Sequence, residues 1–188
     1  MLALLVAAAV AGWDIALAPD SEPGRKLVVS GVVRKAPGGP PLAGVSVYAY
    51  HADGNGLYAL KGQEKKGPRL AGTLRTREDG RYLIRTVYPG TYGGPPHVHF
   101  EVWGKGIARR AFVLNLAAAS LAMPATPETS RVDRAQRKGQ LSSGLDWVDR
   151  LQRQGKLSPG LAVPVRDTKG VLHVTYDIDL TSGSLMPR

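Results

Sequence analysis

Short runs of alternating apolar and polar residues, each closed by glycine or proline, constrain this chain more than any other feature of its sequence. A period of two places successive side chains on opposite faces of a strand, and Gly and Pro supply the turns between strands. With 23 glycines and 14 prolines spread over 188 residues, the pattern predicts an all-β fold, a single β-sandwich domain with many turns. The length suits one domain with a real core and is too short for two.

Along the chain, Lys26 to Arg34 reads as a first strand and Gly44 to Tyr50 as a second, joined through the turn from Ala36 to Pro41. The Gly-rich turn Asp53-Gly-Asn-Gly56 follows, and Lys61 to Arg69 is a charged loop predicted at a pocket rim. Thr73–Thr76 and Gly80–Val87 are predicted to form a hairpin about Asp79-Gly80, and His97–Trp103 and Ile107–Leu116 a second one across Gly104–Gly106. From Pro124 the character changes. Glu128–Lys138 and Ser143–Gln154 carry many charges at helical spacing, which predicts a short helical insertion at about 124–158 before a last strand at about 171–180. The sandwich domain is thus expected to span 26–188.

The N-terminus differs from the rest. Leu2 to Val10 is an apolar run of small residues, too short to span a bilayer, and it ends in Ala9-Val10-Ala11. It reads as the apolar region of a signal peptide over residues 1–11, although no Lys or Arg precedes it; a strand or buried helix at the domain edge is the competing reading. Cleavage would make the protein secreted or periplasmic, and otherwise it is expected in the cytoplasm. The formal net charge of +10 is concentrated in Lys61–Arg77 and Arg131–Lys156 without interleaved aromatics, so a solvated basic exterior is expected and nucleic-acid binding is not. The absence of cysteine removes disulfides and thiolate metal sites.

The chemistry concentrates in Pro89-Gly-Thr-Tyr-Gly-Gly-Pro-Pro-His-Val-His99. On a strand, His97 and His99 share a face while Val98 points the other way. Tyr92 lies just upstream, and Tyr58 could be delivered to the same place by the Gly-rich turn before it. Imidazole nitrogens with phenolate oxygens suit a hard, oxidised transition metal, iron above all. Each tyrosine alone is as well explained by a half-buried strand residue, so the conjunction carries the inference. Tyr48, Tyr50, Tyr82, Tyr88 and Tyr176 are expected to be packing or surface residues, and His51 and His173 are not needed as ligands.

From Val28 to Leu116 these elements resemble the intradiol ring-cleavage dioxygenases, the family of catechol 1,2-dioxygenase and protocatechuate 3,4-dioxygenase. The likeness rests on Gly31-Val-Val, Pro41-Leu-Ala-Gly-Val-Ser-Val47, the run from Tyr50 to Tyr58, Leu70 to Tyr82, Arg85 to Tyr92, and Pro96-His-Val-His-Phe100 in the family's order. It implies Fe(III) held by Tyr58, Tyr92, His97 and His99, with Tyr92 the displaceable tyrosine. The activity implied is cleavage of a catecholic ring by O2 between its hydroxylated carbons, giving a muconate-type dicarboxylic acid. The chain departs from the pattern at Gly94, where the family usually has arginine, and along Ala111–Leu114, where a glutamine is common; Asn115 stands nearby on a shifted register. The link from Tyr92 to His97 is also shorter than in catechol-cleaving members. Arg75, Arg109 and Arg110 could replace the missing charge but read first as surface residues. A second reading is a transthyretin-like or carboxypeptidase-regulatory-like sandwich that binds and catalyses nothing, since its strand and turn motifs are the same.

Overall fold

The computed structural model describes residues 12–91, 93–124 and 161–186. The apolar run at 1–11, both segments of helical spacing between 128 and 154, and Tyr92 lie outside the described residues. The strands are β1 (Asp14–Ala16), β2 (Lys26–Arg34), β3 (Ser46–His51), β4 (Leu70–Arg75), β5 (Arg81–Val87), β6 (His97–Gly104), β7 (Ile107–Asn115), β8 (Met123–Pro124), β9 (Val165–Arg166), β10 (Leu172–Thr175), β11 (Ile178–Asp179) and β12 (Ser184–Leu185). One sheet runs β1-β5-β2-β10-β9-β8, with β11 also on β2, and the other runs β12-β7-β6-β3-β4. The expected all-β sandwich is what forms. Among the described residues no helix is long and apolar enough to cross a membrane.

Alternation builds the core. Along β2 every second residue is buried, and Leu27, Val29 and Val33 join Tyr82 and Ile84 of β5, Leu172 and Val174 of β10 and Ile178 of β11 on one side. Facing them are Val47 and Ala49 of β3, Leu74 of β4, Val98, Phe100 and Val102 of β6, and Phe112 and Leu114 of β7. Each fully buried aliphatic or aromatic side chain contributes roughly 1.5–3 kcal/mol, so the inward face of every strand is strongly specified.

Two sequence expectations are corrected. The turn at Asp79-Gly80 forms, with the Gly80 N–H donating to the Arg77 carbonyl (2.9 Å), but the strands it joins are not a hairpin. Instead β4 pairs with β3 and β5 with β2, in opposite sheets. The buried Thr76 diverts the chain: its hydroxyl donates to the Leu42 carbonyl (2.7 Å) and accepts the Val45 N–H (2.9 Å). A period of two reveals that both runs are strands and is silent on their partners.

The strand expected at 171–180 is broken, and it is not the last. Both β10 and β11 run parallel to β2, and they are separated at Tyr176 and Asp177. There the Tyr176 carbonyl accepts the Tyr82 hydroxyl (2.5 Å), and Asp177 Oδ1 accepts the Val32 N–H (2.9 Å). The backbone comes so close to Gly31 that a Cβ there would lie 2.0 Å from the Tyr176 oxygen, which is why β2 carries a glycine at its centre. After a turn at Leu180–Ser182, β12 adds to the edge of β7.

His51 ties the two sheets together. It is fully buried; its Nδ1–H donates to the Ala52 carbonyl (2.6 Å) and its Nε2 accepts the hydroxyl of Thr86 in β5 (2.6 Å). Burial pushes its pKa down to about 4, whereas an unfolded histidine titrates near about 6.5. Below pH 6.5 the unfolded chain therefore binds a proton that the folded chain refuses, and stability falls as pH falls toward 4, by on the order of 3 kcal/mol in full. Urea midpoints of the metal-free protein should drop between pH 6.5 and 4.5, above the range in which carboxylates dominate. His51→Gln should flatten that slope, and an equal slope in the variant would exclude His51 as its source.

Candidate metal centre

The alternation that buries Val98, Phe100 and Val102 turns His97, His99 and Glu101 to the outer face of the second sheet. The two imidazoles stand nearly perpendicular, with ring centroids 4.7 Å apart. Over them lies Tyr58, whose hydroxyl oxygen is 3.2 Å from His97 Nε2 and 3.1 Å from His99 Nε2. Three of the four sequence-predicted ligands thus converge on one point. The fourth, Tyr92, lies outside the described residues.

The protonation of this group suits a metal. His97 Nδ1 is 2.9 Å from the Pro95 carbonyl, which can only accept, so Nδ1 carries the proton and Nε2 keeps its lone pair. Burial, reinforced by the neighbouring His97, lowers the pKa of His99, which keeps that ring neutral. Donors sharing one metal at about 2.1 Å and near right angles lie about 3 Å apart, close to the separations seen here. Among the described residues no group of three or more His, Cys, Asp or Glu is placed to hold a metal ion, and the polar atom that meets both imidazoles is the Tyr58 hydroxyl oxygen.

Tyr58 is not on a strand, and a polar network positions it. Asp53 Oδ1 accepts the N–H groups of Asn55 (2.9 Å) and Leu57 (3.0 Å), closing the Gly-rich turn. Arg69 donates to both oxygens of Glu22 (2.7 and 2.5 Å) and to Asp53 Oδ2 (2.8 Å), while its own backbone N–H donates to the Tyr58 carbonyl (2.8 Å). The Arg69 hydrogen bond holds Glu22 below the usual carboxylate range. For Asp53, burial works upward, but the Arg69 hydrogen bond and the two N–H donors outweigh it and the pKa falls. Both carboxylates are therefore ionised at neutral pH, and the turn is locked.

The segment leading to Tyr92 leans on the same turn. The Gly90 N–H donates to the Asp53 carbonyl (2.8 Å), and a Cβ at Gly90 would lie 2.4 Å from the Gly56 nitrogen and 2.5 Å from the Gly54 oxygen. Only glycine permits this approach, which joins the two tyrosine-bearing segments. Arg69 and Gly90 were not singled out from the sequence. Arg69 reads there as one more charge in a basic loop, and Gly90 as part of an ordinary Pro-Gly turn.

The surroundings are open. A depression of about 640 Å³ beside Tyr58 is lined by Leu57, Ala59, Lys61, Glu64 and Pro68 among others, so the charged loop does form a rim. Leu57 is 54% exposed, which gives that rim an apolar lip. Among the described residues, a Cβ at Gly94 would meet nothing within 4 Å. The three arginines that might have replaced the missing charge are engaged elsewhere. Arg109 pairs with Glu101 and lies over Trp103, Arg110 donates to the Gly183 carbonyl (2.7 Å), and Arg75 donates to that of Gly44 (3.4 Å). Asn115 stands across from His97 in the β6–β7 register, and Val113, 44% exposed, across from His99. Tyr50, expected to be a packing or surface residue, stacks on His99 with centroids 4.8 Å apart and planes 14° from parallel. Register explains it, since Tyr50 pairs with His99.

Known proteins resemble the chain in sequence and in fold. A family model described as "Dioxygenase" matches residues 6–97. Catechol 1,2-dioxygenase 1 of Acinetobacter lwoffii is 38% identical over 80 residues, 42% of this chain, and the chain spans only 25% of that relative's length. Among solved structures, the dioxygenase domain of a dioxygenase carbohydrate-binding protein fusion from Streptomyces sp. SirexAA-E superposes with a TM-score of 0.57 at 24% identity, covering 87% of this chain and 84% of that one. An intradiol ring-cleavage dioxygenase from Tetranychus urticae shares the fold with a TM-score of 0.53 at 19% identity, covering 92% and 87%. The sequence match and the shared fold thus agree, and the chain resembles the intradiol ring-cleavage dioxygenases, at low identity and over part of their length.

Proposed function

We propose that the protein holds Fe(III) through Tyr58, Tyr92, His97 and His99 and cleaves a catechol-type ring between its two hydroxylated carbons. Both atoms of O2 enter the product, a muconate-type dicarboxylic acid. The observation that carries this reading is the convergence of Tyr58 Oη with His97 Nε2 and His99 Nε2 within 3.2 Å. Phenolate and imidazole donors favour the ferric state, and they leave no need for thiolates, which the chain lacks. When bound, the ferric ion would act as a Lewis acid that chelates both catechol oxygens and draws electron density from the ring, opening it to O2.

The chain's own residues do the positioning. His97 is oriented by the Pro95 carbonyl and presents its Nε2 lone pair, while burial keeps His99 neutral. Tyr58 is held by the Asp53–Arg69–Glu22 network. Tyr92 is assigned as the fourth ligand and as the base that takes one catechol proton on its phenolate oxygen. The exposed Leu57 offers the apolar contact an aromatic ring requires at the mouth of the site.

A tyrosinate bound to Fe(III) absorbs broadly in the visible, so iron-loaded protein should be red to burgundy, and the band should move when catechol is added under argon. His97→Ala and Tyr92→Phe should each lose iron or turnover by at least about tenfold while the sandwich stays folded by circular dichroism. A folded, iron-exposed wild type that remains colourless would instead support a binding sandwich without catalysis.

The empty space at Gly94 generates a second expectation. An arginine side chain has room there, and the backbone is not in the left-handed region. If developing negative charge on the substrate ring limits turnover, Gly94→Arg should raise kcat by about tenfold or more in an oxygen-uptake assay. Unchanged kcat would mean that this charge is met by other groups.

A further inference from the structure

We propose that Tyr50 is a positioning residue that fixes the plane of His99 by stacking on it. This role rests on the reading of the site as a ferric centre. The two histidines are held by different devices. A metal-binding imidazole ordinarily has its second nitrogen tied to a carbonyl or carboxylate, which sets both tautomer and ring plane. His97 follows that rule through Pro95. Among the described residues, no hydrogen bond reaches His99 Nδ1; its Nε2 faces Tyr58, and a flat aromatic neighbour lies against its ring instead.

That neighbour is well placed to do the work of a tether. Tyr50 and His99 are paired across β3 and β6, so their side chains rise from the same face of one rigid sheet. The rings lie 14° from parallel at 4.8 Å, within the range of a stacked pair. Tyr50 is itself backed by Tyr48 at 5.4 Å, and it reaches toward Tyr58 with centroids 6.2 Å apart. Rotation of the imidazole about its bond to Cβ would swing Nε2 away from Tyr58 and drive the ring edge into the Tyr50 face. The stack therefore holds the lone pair on the point shared with His97. It is the ring of Tyr50, not its hydroxyl, that performs this role.

The test compares wild type with Tyr50→Leu and Tyr50→Phe in the full chain. Iron retention is measured by metal analysis against a competing chelator, and the visible charge-transfer band is recorded. In the metal-free protein, the His99 ring-proton shifts at fixed alkaline pH report the stack without any metal. Tyr50→Leu is expected to hold iron about tenfold more weakly, with an altered band, and to lose the upfield ring-current shift at His99 while its melting temperature stays near wild type. Tyr50→Phe should restore all three readouts. A Leu variant that binds iron as tightly as wild type with the same spectrum would overturn the role, as would a Phe variant as defective as Leu. If the wild type takes up no iron, the ferric reading fails and this role with it, a result distinct from a wild type and Leu variant that bind equally.

Discussion

The burial of Val98, Phe100 and Val102 against the opposing sheet is the constraint from which the rest of the site follows. Strand geometry leaves no freedom once those three face inward, because a slip of one residue would expose all of them and bury two histidines and a glutamate. The cost of such a slip, several buried apolar groups exchanged for unpaired polar ones, is comparable with the whole stability of an ordinary domain. Two imidazoles side by side on the outer face are thus secured by the core, not by any contact between themselves.

What lies above those imidazoles depends on a different kind of interaction. Tyr58 belongs to a loop, and loops have no core to hold them. Here a partly buried arginine, Arg69, shared between Glu22 and Asp53, takes the place of a core. Asp53 closes the turn from within and also accepts the Gly90 N–H, so one carboxylate residue organises both tyrosine-bearing segments. The division of labour is physical. A sheet supplies rigid, coarse placement, and a hydrogen-bonded charge network supplies the fine placement of a side chain that must reach over it.

The family resemblance and this arrangement agree, yet the chain is pared down. Among the described residues Gly94 faces open space, and the arginines of β4 and β7 are spent on Glu101, Trp103 and backbone carbonyls. The position across from His99 is the apolar Val113. The cluster of Tyr58, His97 and His99 therefore stands beside a rim that carries the exposed Leu57.

Much of this was legible in the residues themselves. The Gly and Pro punctuation and the period of two are local properties, so the strands at Lys26–Arg34 and His97–Gly104 and the hairpin across Lys105 could be read directly. The outward pairing of His97 and His99 follows from the same period, and Tyr58 could be suspected from its motif. Partnership between strands could not be read, because alternation marks a strand without naming its neighbour. Only the tertiary structure sends β4 and β5 to opposite sheets, interrupts the strand at Tyr176 and Asp177 beside Gly31, and lays Tyr50 on His99. The same holds for Arg69, Asp53 and Gly90, whose roles arise from contacts between segments far apart in the chain. Sequence alone determined which residues face in and which face out, since that is a property of a single strand; the fold decided which of the outward ones meet.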